Sequence, residues 1–193
     1  MKTSSVDEAH KQFLFEAGAD TTPHSGRTLY IHLEGVHRRL HDWGNEESVC
    51  VAGLFHSVYG TSAFKQQIIP LELRGRVRAL IGEKAEALAY LFCVCERHAC
   101  LGPLLYGTSK MKNMASGEEI GIDEETLRCM LELEVANFVD HFPGGKIDNP
   151  GARAEMLLKT YLMTTERYLS KGAYGAIQSI YANTYPAPAA TAG

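Results

Sequence analysis

At 193 residues the chain has room for one domain with a large core and little room for a second, since single domains usually run to roughly 100–200 residues. An apolar share of 45%, a charged share of 22% and a mean hydropathy of −0.15 exclude a disordered class, and no run approaches the ~20 apolar residues that a bilayer span requires. The net charge of −4 and pI near 6.1 offer no basic face for a phosphate backbone, which excludes nucleic acid as a partner.

Strand signals are scarce, and apolar residues recur at three- and four-residue spacing, so the expected class is all-α: one helical domain over residues 1–185 with a disordered tail over 186–193. The N-terminal MKTSSVDEAHKQFLFEAGAD spreads its charges and has no apolar block, so no secretory signal is read and a cytoplasmic location is expected. A first helix is predicted from Val6 to Ala17, stopped by Gly18. A loop from Asp20 to Gly26 then carries His24. From Thr28, the stripe Leu29, Leu33, Val36, Leu40, Trp43 predicts a helix laying one face on a core, ended by Gly44 and Asn45. The next helix, Glu46 to His56, is apolar on most sides and delivers His56 from the interior. Helices over Leu71–Ile81 and Glu83–His98 follow, then a long polar loop from Gly102 to Gly121. Asp123 opens a helix running to Phe142, with Glu124 and Glu125 in the first turn where the dipole favours acids. Helices over Ala152–Leu169 and Tyr174–Asn183 complete the pattern, and Ala152–Leu169 is the surface considered for packing a second copy as a homodimer.

The five cysteines, Cys50, Cys93, Cys95, Cys100 and Cys129, are odd in number and sit in apolar surroundings, which suits buried, reduced thiols. Cys93, Cys95 and Cys100 with His98 do not have the C-x2-C spacing of structural zinc sites. His37 and His41, flanked by Arg38, Arg39 and Asp42, read as a solvated face. Phosphate-binding glycine motifs and the G-x-S-x-G elbow are absent, so no nucleotide cofactor or serine triad is expected.

Two segments carry the chemistry. Tyr30-Ile31-His32-Leu33-Glu34-Gly35-Val36, followed by Ala52-Gly53-Leu54-Phe55-His56-Ser57, resembles the first two helices of the HD-domain superfamily, in its alarmone-hydrolase variant. Ile81-Gly82-Glu83-Lys84-Ala85 and Val135-Ala136-Asn137-Phe138-Val139-Asp140-His141 echo its later elements. The resemblance implies a single-domain HD-like helical bundle with a site around His32 and His56. It also implies a metal held by two histidines and two aspartates, yet Ser57 and Asn137 stand at the aspartate positions and Tyr59-Gly60 replaces part of the catalytic Glu-Asp. Alarmone hydrolysis is therefore not expected. A rebuilt metal set of His24, His32, His56 and Asp140 would suit Fe or Mn.

The expected function is a divergent HD-like enzyme, a hydrolase or a non-heme iron oxygenase, acting on a small polar or anionic metabolite. The alternative is a sensor pseudo-enzyme that has lost the metal. His56 and His32 are the candidate acid/base or ligand residues, with Tyr59 and Thr61 orienting the substrate. Ser57, Asn137, His24 and Arg27 complete the substrate pocket, Arg27 facing an anion. Glu96, Arg97 and His98 are candidates to point into it. The constellation requires the two imidazoles of His32 and His56 within about 8 Å, since each bond to a shared ion is only ~2.0–2.2 Å.

Overall fold

The computed structural model describes residues 6–96 and 98–186. The tail expected to be disordered lies outside the described residues apart from Pro186, as does Arg97. Most of the described chain is helical, and no helix in it is long and apolar enough to cross a membrane.

Helix α1 (Glu8–Glu16) starts at Asp7, whose carboxylate accepts from Ala9 N, and ends before Gly18 at φ +83°. Where a loop is expected, the chain makes a tight hairpin, β1 (Pro23–His24) against β2 (Arg27–Thr28). Ser25 and Gly26 both have positive φ, 47° and 80°, the requirement of a two-residue hairpin turn whose twist matches its strands. The turn makes His24 and Arg27 cross-strand partners. Helix α2 (Leu29–Asp42) follows, capped by the Thr28 hydroxyl. Leu29, Leu33, Val36 and Leu40 are wholly buried.

Helix α3 (Glu47–Phe55) is buried at every position from Val49 onward and packs on α2, α5 and α7. Its approach to α2 depends on Gly53: a Cβ there would lie 2.4 Å from Leu40 Cδ1. His37 sits at this crossing and is only 4% exposed, correcting its reading as a solvated residue. The charged neighbours in sequence lie on the other flank of α2, while α3 covers His37. A 3-10 turn (Leu71–Leu73) leads into α4 (Arg74–Ile81), then α5 (Glu83–Val94). Helix α5 ends four residues earlier than expected, because Cys95 turns extended and bridges to Asn113.

The segment read as a loop over Gly102–Gly121 is ordered into α6 (Leu101–Tyr106) and a second hairpin, β3 (Lys110–Lys112) with β4 (Glu119–Gly121). Pro103 falls in the first turn of α6, where its missing N–H has no helical partner to lose. The hairpin turn is held by Asn113 Oδ1, which accepts from Ala115 N and Ser116 N. Helix α7 (Glu124–Asp140) is the central element, buried at every position from Cys129 to Asp140 and in contact with α2, α3, α5 and α9. Helix α8 (Ala152–Thr164) stops short of Leu169, and α9 (Lys171–Thr184) begins earlier than expected because Ser170 caps it. Buried Glu132 of α7 accepts from the Ser170 N and hydroxyl and from Asn45 Nδ2, tying α9 and the α2–α3 turn to the central helix. All five cysteines are buried and free.

Two core substitutions test this packing from opposite directions. Leu54→Ala opens a cavity at a wholly buried site and is expected to cost ~2–5 kcal/mol. Gly53→Ala overfills the α2–α3 contact and is expected to cost about 1–3 kcal/mol. Urea unfolding with an unchanged m-value checks both.

Candidate functional site: a buried imidazole cluster at the end of a cavity

His32 and His56 enter the core from different helices. His32 stands on α2 between the apolar positions Leu29 and Leu33, and His56 is the residue that closes α3. Both are 0% exposed. Burying two imidazoles is costly unless their polar atoms are satisfied, and the distal nitrogen of each is. His56 Nδ1 donates to the Gly53 carbonyl at 2.7 Å, using one of the acceptors that a helix C-terminus leaves open. His32 Nδ1 lies 2.8 Å from Asp140 Oδ2 and donates to that carboxylate.

These two bonds fix the tautomers, leaving the lone pair of Nε2 exposed on each ring. The two Nε2 atoms are 3.2 Å apart, inside the expected 8 Å, and Asn137 Oδ1 lies 3.2 Å from both. With these tautomers the three atoms form an equilateral triangle of acceptors, with no donor between them among the described residues. His32 Nε2, His56 Nε2 and Asn137 Oδ1 are the atoms that would hold a cation here.

Two more imidazoles close over this triangle. The His24 ring stacks on His32 at 4.5 Å between centroids, and the His141 ring does so at 4.8 Å. His24, His32 and His141 each offer a ligand atom, all within 4.8 Å of one another. His24 Nε2 is buried without a hydrogen-bond partner among the described residues. Burial, then the proximity of the His32 imidazole, lowers the His24 pKa to about 4 and the His56 pKa to about 3, so both rings are neutral at pH 7.

Asp140 corrects one sequence-based assignment. Expected as a metal ligand, it lies behind His32, with Oδ2 on His32 Nδ1 and the Arg27 guanidinium and Oδ1 3.3 Å from Arg39 Nε. Burial pushes its carboxyl up, but the hydrogen bond and proximity of His32 and the charges of Arg27 and Arg39 outweigh that and hold it below its ordinary value. Arg27 is likewise engaged with Asp140, and also donates to the Asp140 carbonyl at 2.9 Å, rather than facing a substrate anion. Gly35 makes the arrangement possible: a Cβ there would stand 2.3 Å from Asp140 Oδ1.

Asn137, Ser57 and His24 line a cavity of about 440 Å³, together with Thr61 and His141. Tyr59, expected there, is buried elsewhere and donates to Glu86, which is paired bidentately with Arg74. Thr61 Oγ1 accepts from Phe64 N and so shapes the rim. Glu96 and His98 do line the cavity, as the polar end of α5 led one to expect. His141 and Glu134 were not singled out by sequence; both lie on the face of α7 that carries Asn137, four residues after it and three before.

Residues 13–97 match a family model described as a domain of unknown function, DUF6817. No curated protein and no solved structure matches the chain. The matched stretch holds His24, His32 and His56, while Asn137, Asp140 and His141 lie beyond it.

Two outcomes follow from this geometry. Gly35→Ala is expected to displace Asp140 from His32, destabilising the fold by about 1–3 kcal/mol and shifting the His32 imidazole resonances. The second concerns pH. A histidine whose pKa is about 3 or 4 when folded, against about 6.5 unfolded, takes up protons on unfolding, so its contribution is complete above pH 6.5 and is lost as pH falls toward 4. Melting midpoints of the metal-free protein should therefore drop through that window, and His56→Asn should flatten the drop.

Proposed function

We propose that the cavity is the active site of a divergent HD-like enzyme, with a divalent transition metal bound by His32, His56 and Asn137 at its inner end and a small polar metabolite as substrate. The observation that carries this reading is the acceptor triangle. His32 and His56 have their Nδ1 protons committed elsewhere, and aim lone pairs at a point where Asn137 Oδ1 also arrives. The Asp140–His32 pair behind the triangle is the carboxylate–histidine arrangement that orients metal ligands.

The residues that converge are those the HD resemblance aligns with its metal ligands, His32, His56 and position 137, and Ser57 lines the same cavity. The donor set is neutral and rich in imidazole, which suits zinc or iron better than manganese. His24 and His141 are the nearest further donors. A bound ion would supply Lewis acidity and a more acidic water; the chain's own residues hold it, exclude bulk water and position the substrate through Thr61 and Ser57. A hydrolytic reaction is favoured over a di-iron oxygenase, because the carboxylate that touches the cluster among the described residues, Asp140, is bound to Arg27, Arg39 and His32 and supplies no bridge.

A second reading has its own support. With the Asn137 amide rotated by a half turn, its NH2 group donates to both Nε2 atoms and satisfies the triangle without metal. The pocket is then a ligand-binding sensor, consistent with neutral Ser57 and Asn137 where aspartates are expected.

Metal analysis of protein purified without added metal separates the two. Near-stoichiometric zinc or iron is expected, lost in His56→Ala and His32→Ala. Asp140→Asn should weaken metal affinity about 10–100-fold, and Asn137→Asp should raise it by adding an anionic oxygen. A wild-type chain that takes up neither metal on titration overturns the metal reading in favour of the sensor.

A further inference from the structure

The cavity extends well beyond the imidazole cluster, and its buried walls divide by chemistry. The rim is exposed at Pro23, Ser25, Ala63 and Glu96. Inside, Ser57 and Asn137 mark the polar end, at the cluster. Along α7 the lining then runs through Glu134 to Met130, seven residues and about 10 Å beyond Asn137. Leu91 and Cys95, which close the last turn of α5, join Cys100, Met111 and Met130 in an apolar wall where no residue is more than 8% exposed.

The second hairpin builds part of that wall. Strand β3 alternates, with Lys110 and Lys112 exposed and Met111 buried between them, so one side chain of the three turns inward. The hairpin is pinned to the end of α5 by the bridge between Cys95 and Asn113 and by Met114 N, which donates to the Val94 carbonyl at 2.9 Å. These contacts bring Met111 over the cavity. The polar side chains that interrupt the wall meet protein partners: His98 Nδ1 stands 2.7 Å from Glu134 Oε1 and 3.2 Å from the Tyr161 hydroxyl. Methionine, unbranched and polarizable, moulds itself to an irregular apolar guest, and apolar surface inside an open cavity gains by being covered.

We infer that the substrate of this cavity carries an apolar tail as well as a polar head: the head meets Ser57 and Asn137, and the tail lies against Leu91, Met111, Met130 and the thiols of Cys95 and Cys100. The inference rests on the cavity being the active site, but not on the metal. The size agrees, since a cavity of about 440 Å³ falls among those of ~300–1,000 Å³ that hold one small molecule. A wholly polar metabolite would leave five apolar side chains against water. Met111 and Met130 are thereby specificity-determining residues, which select the tail while the imidazole cluster acts on the head.

The test uses 1-butanol, 1-hexanol and 1-octanol, one head on tails of increasing length, titrated by calorimetry into the full chain, both chelator-treated and reloaded with Zn²⁺. Methionine methyl resonances are followed by NMR. Each added CH₂ that enters the wall should tighten binding about fourfold, so hexanol should bind at least roughly tenfold tighter than butanol in the metal-free chain. The methyl groups of Met111 and Met130 should shift, while those of Met156 and Met163, exposed on α8, stay in place. Met111→Gln should flatten the rise with its far-ultraviolet spectrum unchanged. If that variant does not fold, the wild-type series and the methyl shifts decide. A flat series, binding of none of the alcohols, shifts confined to Met156 and Met163, or an unaltered rise in a folded Met111→Gln chain overturns the inference. A rise with tail length in a chain that takes up no metal sinks the metal reading alone, and metal uptake without the rise sinks this inference alone.

Discussion

The contact between Asp140 and His32 is the constraint on which the site depends. A carboxylate buried to 2% exposure is tolerable only when paired and hydrogen-bonded, and here Arg27, Arg39 and His32 surround it. The groups come from three parts of the fold: Arg27 from the first hairpin, His32 and Arg39 from α2, and the acid from the end of α7. Breaking any one leaves a buried charge under-compensated, which is why these pairs are expected to act together rather than additively. Through them the hairpin that carries His24 is fastened to the helix end that carries His141. The tautomer of His32 is set by the same bond, so one interaction both closes the site and decides which nitrogen faces it.

The imidazole cluster shows how burial substitutes for negative charge. In a site with two aspartates, ligands are kept deprotonated by being acids; here His24 and His56 are kept deprotonated by desolvation, with pKa values near 4 and 3. A metal bound at such a site would meet little competition from protons at neutral pH.

How much of this could be read from sequence depended on the range of the interaction. The α2 stripe and the apolar run of α3 declared themselves through periodicity, and with them the convergence of His32 and His56, because packing fixes the faces of helices that carry such stripes. The two hairpins did not, since strands of two or three residues are too short for an alternating pattern and their turns rest on backbone conformations at Ser25 and Gly26 and on the Asn113 side chain. His37 was misjudged because its neighbours in sequence are charged while its neighbours in space are Gly53 and α3. Tyr59 was misplaced because its partner, Glu86, is 27 residues away and nothing local marks a buried carboxylate.

The exchange of Asp140 for His141 follows from helix geometry alone. At 100° per residue, Asp140 lies about 60° to one side of Asn137 and His141 about 40° to the other. The first rotation turns a side chain toward α2, where Gly35 leaves space for it; the second turns one toward the cavity. Sequence spacing makes both residues equally good neighbours of Asn137, and only the position of α2 distinguishes them. The phase of α7 therefore divides its polar residues by place: Asp140 holds a histidine from behind, while Glu134, Asn137 and His141 line the cavity. A substitution that rotates α7 by even one residue's increment would exchange these roles, so the packing of its buried neighbours, Leu131, Leu133, Val135 and Ala136, all wholly buried, is as much a part of the site as the imidazoles.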